Sequence, residues 1–135
     1  MSQRDDLKDV KVALSTGGAR FDSGKTRVDL IPADIMLGLG EIYLMGAKKY
    51  DATNWRKGMK WTKVYGPLMR HLLKAWWGKE KNDPESGLPH IMHALWNCVA
   101  LAYYMTHDEY AKFDDRMDNR NFVEMNEEER QALFV

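Results

Sequence analysis

The sequence predicts an all-α fold: a helical bundle of three main helices with short satellites and an irregular N-terminal arm. Two observations predict it. Apolar residues recur at three- and four-residue intervals in three separate stretches, and Pro and Gly fall where those stretches begin and end. Residues 1–28 are polar and punctuated by Ser15-Thr16-Gly17-Gly18 and Ser23-Gly24, which reads as an arm with a short strand at Val10 to Leu14. The first helix begins after Ile31, with Pro32 in its first turn and Ile31, Ile35, Leu39, Ile42 and Tyr43 as its apolar face. Gly38 and Gly40 each weaken it by about 1 kcal/mol and leave room for another backbone to approach. A loop from Tyr50 to Trp61 leads to a second helix, with Pro67 in its first turn, Leu68, Leu72, Leu73 and Trp76 as its buried side, and Gly78 at its end. Residues 79–88 form a polar loop with Pro and Gly turn signals. The third helix runs from about Pro89 to Met105 with an apolar stripe of Ile91, Leu95, Val99 and Ala102. Asn126, with Glu129 three residues on, is a capping-box start for a short last helix.

A chain of 135 residues suits a single domain that buries its own core without staples. The lone Cys98 excludes a disulfide within the chain and a Cys-based zinc motif. Met1 to Asp6 has no apolar stretch behind it, and Ala94 to Met105, broken by Asn97, falls short of the roughly 20 residues that span a bilayer. The expectation is a soluble cytosolic protein with no membrane partner. The zero net charge conceals segregation. Lys48 to Lys81 holds ten basic and two acidic residues, whereas His107 to Val135 holds four basic and nine acidic. The central segment attracts anions: nucleic acid, acidic protein or a small polyphosphate.

The third helix carries a second stripe. His90, His93 and Asn97 stand at i, i+3 and i+7 on one face of a helix otherwise dense in Leu, Trp, Val and Ala. Buried polar groups hydrogen-bonded to neighbouring helices would account for them. Two histidines one turn apart, after a loop bearing Glu80, Asp83 and Glu85 and a second helix bearing His71 beside Arg70, also suit a divalent-metal site. Oxygen ligands suit Mg²⁺ or Mn²⁺, and imidazole shifts the preference toward Mn²⁺. Lys25 and Arg27, with the Lys48-Lys49-Tyr50 run, read as phosphate contacts, while Lys57, Lys60 and Lys63 read as a solvated charge run. Ser23-Gly24-Lys25-Thr26 is not a Walker A loop, because Ala19 stands where the upstream glycine belongs. Asn54 and Trp55 can read and stack on a base, although Trp55 and Trp61 serve equally as core aromatics. Trp76 and Trp77 are assigned to packing, and Cys98 has no role.

Five ordered blocks carry a resemblance. They are Asp22-Ser23-Gly24-Lys25 with Arg27; Asp29-Leu30-Ile31-Pro32; Gly46-Ala47-Lys48-Lys49-Tyr50 with Asn54-Trp55; Arg70-His71-Leu72 with Trp76; and Glu80 to Asn97 with Asp83, Glu85-Ser86-Gly87, His90 and His93-Ala94. Together, over about residues 20–105, they resemble the phage and bacterial dATP/dGTP diphosphohydrolase family, the MazZ-type relatives of MazG. Residues 1–19 and 107–135 lie outside that core. The resemblance implies a MazG-like, usually oligomeric fold that hydrolyses a purine deoxynucleoside triphosphate to monophosphate and pyrophosphate with Mg²⁺ or a similar metal. In some phages such enzymes supply dGMP for 2-aminoadenine nucleotides. One departure stands out. MazG-like enzymes carry Glu-Glu-x-x-Glu on one helix and Glu-x-x-Asp on the next, where this chain has Arg70-His71-x-x-Lys74 and His90-x-x-His93.

The ligand set therefore follows from residue chemistry: Glu80, Asp83, His90 and His93, with Glu85 a further candidate. Lys25, Arg27, Lys48 and Arg70 would neutralise the pyrophosphate. Glu80, His71 and Asn97 would serve catalysis, with His71 a ligand or an orienting partner and Asn97 on a histidine or the sugar. Two rivals remain. A His/Asp-type metal phosphohydrolase would release tripolyphosphate, and a nucleic-acid-binding accessory protein would use the basic segment but leaves the histidine stripe without a purpose.

Overall fold

The computed structural model describes residues 17–21, 23–118 and 124–135. Among them the protein is all-α. Helix α1 spans Ala33–Lys49, α2 Thr62–Trp76, α3 His90–Thr106 and α4 Glu127–Ala132, with 3-10 turns at Val28–Leu30, Asn54–Lys57 and Asp108–Phe113. The chain divides into two units, Met1–Met36 and Leu37–Val135. In the first, the 3-10 turn is closed by Arg27, whose guanidinium grips the Asp29 carboxylate at 2.9 Å. The expected strand at Val10 to Leu14, and Asp22, lie outside the described residues.

The second unit is built on α2 packed against α3, with the 3-10 turn at 108–113 closing over α3. Its core joins Trp61, Val64 and Leu68 to Ala94, Ala100, Leu101 and Tyr104, and Tyr110 completes it. The buried stripe of α3 is not the expected one. His90, His93, Asn97, Ala100 and Tyr104 face inward, whereas Ile91 is 55 % exposed and Ala102 is exposed. The reason is steric: Ala94 and Ala100 let α2 come close, and the imidazoles find partners there that water would otherwise supply. The packing role expected of Trp76 and Trp77 is likewise overturned, with both more than three-quarters exposed, and Leu73 is half exposed. They stand on the last turn of α2 and just after it. Pro67 is the sixth residue of α2, not in its first turn. At Gly38 of α1 the neighbour is the Met92 methyl, 3.1 Å from where a Cβ would stand, and not a backbone; nothing approaches Gly40. Asn126 caps α4 as the sequence implies, its side chain accepting the Glu129 N–H at 2.8 Å.

Helix α2 ends in a way that aims the following loop. Lys79 takes the left-handed conformation at φ 51°, and Glu80 N–H returns to the Lys74 carbonyl at 3.0 Å. Asp83 N–H then donates to the Leu88 carbonyl and His90 N–H to the Lys81 carbonyl, folding residues 81–90 back on themselves. This hairpin-like loop delivers Glu80, Asp83 and Ser86 to the start of α3.

Candidate active site

His71, from the middle of α2, stacks on His93 from the first turns of α3, with ring centroids 4.6 Å apart and planes 9° from parallel. Asp83 reaches the same place from the loop. Its Oδ1 accepts the Glu85 N–H at 3.0 Å, which anchors the turn and leaves Oδ2 3.7 Å from His93 Nε2. Ligating atoms of His71, Asp83 and His93 all lie within 4.8 Å of one another, near enough for one cation to gather. Ser86 Oγ sits 2.7 Å from His93 Nε2 and accepts the Leu88 N–H. Ser86, His93 and Asp83 are not a nucleophilic triad, because the carboxylate and the hydroxyl address the same imidazole nitrogen.

His90 stands one layer deeper and is fully buried. Its Nε2 lies 2.8 Å from Glu80 Oε1 and its Nδ1 2.8 Å from His71 Nδ1. Asn97 donates from Nδ2 to the His93 backbone carbonyl at 2.8 Å, bracing the turn that carries His93. The electrostatics suit a cation. Burial pushes the His71 imidazole below its ordinary value, and electrostatic coupling to the neighbouring His93 and His90 rings adds to the effect. Burial does the same to His93, opposed by the Asp83 charge. The Glu85 N–H, with the neighbouring imidazoles, holds the Asp83 carboxyl below the usual range. Near neutral pH the trio thus presents two imidazole lone pairs and one carboxylate.

A cleft of about 570 Å³ opens beside this cluster, and His93 and Asn97 form part of its wall. Tyr43, Trp55 and Trp96 supply aromatic surface, Asn54 an amide, and Lys49, Lys57 and Lys63 positive charge. Trp55 is held edge-on to Tyr43 at 6.3 Å and to Tyr103 at 5.1 Å, while Arg56 lies over both the Trp55 and Tyr103 rings. Tyr104 fixes the same turn from below, donating its hydroxyl to the Trp55 carbonyl at 2.5 Å.

Of the residues singled out from the sequence, Asp83, His93 and His71 converge as a cluster, with His90 and Glu80 linked behind them. Asn97, Tyr50, Asn54 and Trp55 line the cleft. Glu85 is exposed and contributes its N–H to Asp83. Lys48 and Arg70 are exposed and outside the cleft wall, and Lys25 and Arg27 belong to the first unit. Lys49, read beside Lys48 as a phosphate contact, does line the cleft, whereas sequence reasoning missed Tyr43, Trp96 and Ser86 as parts of the site and set Lys57 and Lys63 aside as solvated charge. A signal for Lys63 existed: it precedes His71 by two four-residue steps, so both share one face of α2.

A helical pair with a His/Asp cluster beside a cleft large enough for a nucleotide, His93 belonging to both, makes a candidate site for phosphoanhydride hydrolysis. The family described as dATP/dGTP diphosphohydrolase, N-terminal, matches residues 15–116, and the chain belongs to it. That membership supports an enzyme acting on dATP or dGTP. No curated protein and no solved structure is significantly similar to the chain. Among the described residues no helix is long and apolar enough to cross a membrane.

Proposed function

We propose that the protein hydrolyses a purine deoxynucleoside triphosphate, dGTP or dATP, to monophosphate and pyrophosphate, using a divalent cation held by His71, Asp83 and His93. One observation carries the reading: His93 belongs both to the cluster and to the wall of the nucleotide-sized cleft. The donor set fits a cation, since two imidazoles and a carboxylate from three separate segments gather their ligating atoms within 4.8 Å. Two nitrogen ligands favour Mn²⁺ over Mg²⁺. When bound, such an ion supplies charge neutralisation and lowers the pKa of a coordinated water.

The chain's own residues do the rest. Lys49, Lys57 and Lys63 set positive charge along the cleft for a triphosphate. Tyr43, Trp55 and Trp96 give a base apolar faces against which to lie, and Asn54 and Asn97 give it or the sugar hydrogen-bond partners. Asp51, paired with Lys57 at 3.2 Å, moderates the positive charge on that wall. The product is a deoxynucleoside monophosphate, and one use for dGMP is synthesis of modified-base nucleotides in a phage-infected cell.

Product analysis tests this. Purified protein with each deoxy- and ribonucleoside triphosphate and Mn²⁺ should give monophosphate and pyrophosphate, fastest for the purine deoxynucleotides, and no turnover in excess chelator. The histidine-rich donor set favours a second reading, a His/Asp-type phosphohydrolase. The same assay decides, because that enzyme would release nucleoside and tripolyphosphate.

A further inference from the structure

His90 is the most enclosed polar side chain of the site, and both of its ring nitrogens already have partners. It is 0 % exposed, with Glu80 Oε1 at 2.8 Å from Nε2 and His71 Nδ1 at 2.8 Å from Nδ1. A carboxylate only accepts, so the His90 Nε2–H must donate to Glu80. Two bare lone pairs cannot face each other at 2.8 Å, so one proton must also lie between the two Nδ1 atoms. If His90 is neutral, that proton belongs to His71, and the His71 lone pair is left on Nε2. If His90 were an imidazolium, the proton would be its own, and a neutral His71 would turn an Nε2–H outward and could not ligate through that atom. Only the first arrangement leaves His71 a lone pair for a cation, because its Nδ1 is already taken up by His90.

We infer that Glu80 and His90 are positioning residues, a hydrogen-bonded chain that fixes His71 in the tautomer with its lone pair on Nε2, free for a cation shared with Asp83 and His93, and that neither is itself a ligand. The inference rests on the metal reading above. It explains why a histidine occupies a site with no outward face and why Lys79 adopts a left-handed conformation: that turn swings Glu80 back to α3. Outer partners of ligating histidines act this way in general, setting tautomer and ring orientation, and their loss weakens metal binding by about 10- to 100-fold.

The test uses the full chain with ¹⁵N-labelled histidine. In metal-free protein, two-bond ¹H–¹⁵N correlations should show His90 as the Nε2–H tautomer and His71 as the Nδ1–H tautomer. Titration with Cd²⁺ should then move Nε2 of His71 and of His93 and leave both nitrogens of His90 in place. Calorimetry with Mn²⁺ adds a second arm through Glu80, whose exposed position spares the fold. Glu80→Ala should weaken Mn²⁺ binding at least about tenfold. Glu80→Gln, whose amide oxygen still accepts the His90 proton, should stay within about threefold of the parent. A Cd²⁺ shift at His90, an imidazolium at His90, or equal losses for Gln and Ala would each overturn the relay. Silence at His71 and His93 alike would sink the metal reading itself, and the relay's purpose with it.

Discussion

Asp83 shows how one side chain can serve the loop and the chemistry at once. Its Oδ1 takes the Glu85 N–H and holds the turn, and its Oδ2 is turned to His93. The two duties are separable. Asp83→Asn keeps an oxygen for the Glu85 N–H but loses the charge, whereas Asp83→Ala loses both. Asp83→Asn should therefore melt within a few degrees of the parent yet lose at least about 100-fold in kcat/KM, more than an outer partner costs. Asp83→Ala should lose activity and thermal stability together. Calorimetry and steady-state kinetics on the two variants check this, and an active Asp83→Asn protein would remove Asp83 from the site. Legibility also differs residue by residue. The His90, His93 and Asn97 stripe stands out in the sequence because polar residues at helical spacing on an apolar helix demand partners. Which imidazole faces the cluster and which supports it depends on where the hydrogen-bond partners of each ring lie. Those come from Glu80 and His71, ten and nineteen residues away from His90, and no local pattern encodes them.

At the scale of elements, the three main helices follow from spacing and punctuation, but the inward faces of α2 and α3 do not follow from hydrophobicity. On α3 the more apolar stripe of Ile91, Leu95, Val99 and Ala102 is not the buried one, since small Ala and hydrogen-bonded His permit a closer approach of α2 than Ile or Leu would. The same closeness buries Tyr104 on α3 to 1 % exposure and brings its hydroxyl to the Trp55 carbonyl, tying the 3-10 turn of the cleft wall to the core. Burial pushes the Tyr104 phenol up to about 12 from its ordinary 10.0. The folded state therefore favours the protonated form. This contribution to stability is complete below pH 10, falls as pH climbs between 10 and about 12, and is gone beyond it. Tyr104→Phe should cost about 1 kcal/mol near neutral pH for the lost hydrogen bond. It should also flatten the part of the alkaline stability decline that this phenol causes, as urea unfolding at successive pH values would show. An unchanged slope would mean that Tyr104 ionises as freely in the folded chain as in the unfolded one.

Across the whole molecule, charge is sorted more strongly than the zero net value suggests, and the sorting places three lysines against the single acid Asp51 on the cleft wall. Lys49, Lys57 and Lys63 lie on its wall at exposed positions, whereas His93 of the cluster beside it is 7 % exposed. Exposed lysines and a cation held at the buried cluster would respond differently to salt. Screening between exposed charges is strong once the Debye length shrinks from about 10 Å at 0.1 M toward about 3 Å at 1 M, while partly buried groups feel it much less. A triphosphate drawn in by the lysines should therefore bind several-fold more weakly at 0.5 M than at 0.05 M potassium chloride, with KM rising and kcat nearly level. Replacing Lys49 and Lys63 together by Gln should raise KM at low salt and flatten its salt dependence. Because these side chains are exposed and the core does not use them, thermal stability should hold. The measurement is KM and kcat for dGTP across that salt range at fixed free Mn²⁺, parent against double variant. A salt-dependent kcat with constant KM would place the sensitivity in the buried cluster instead, and would take the lysine wall out of substrate binding.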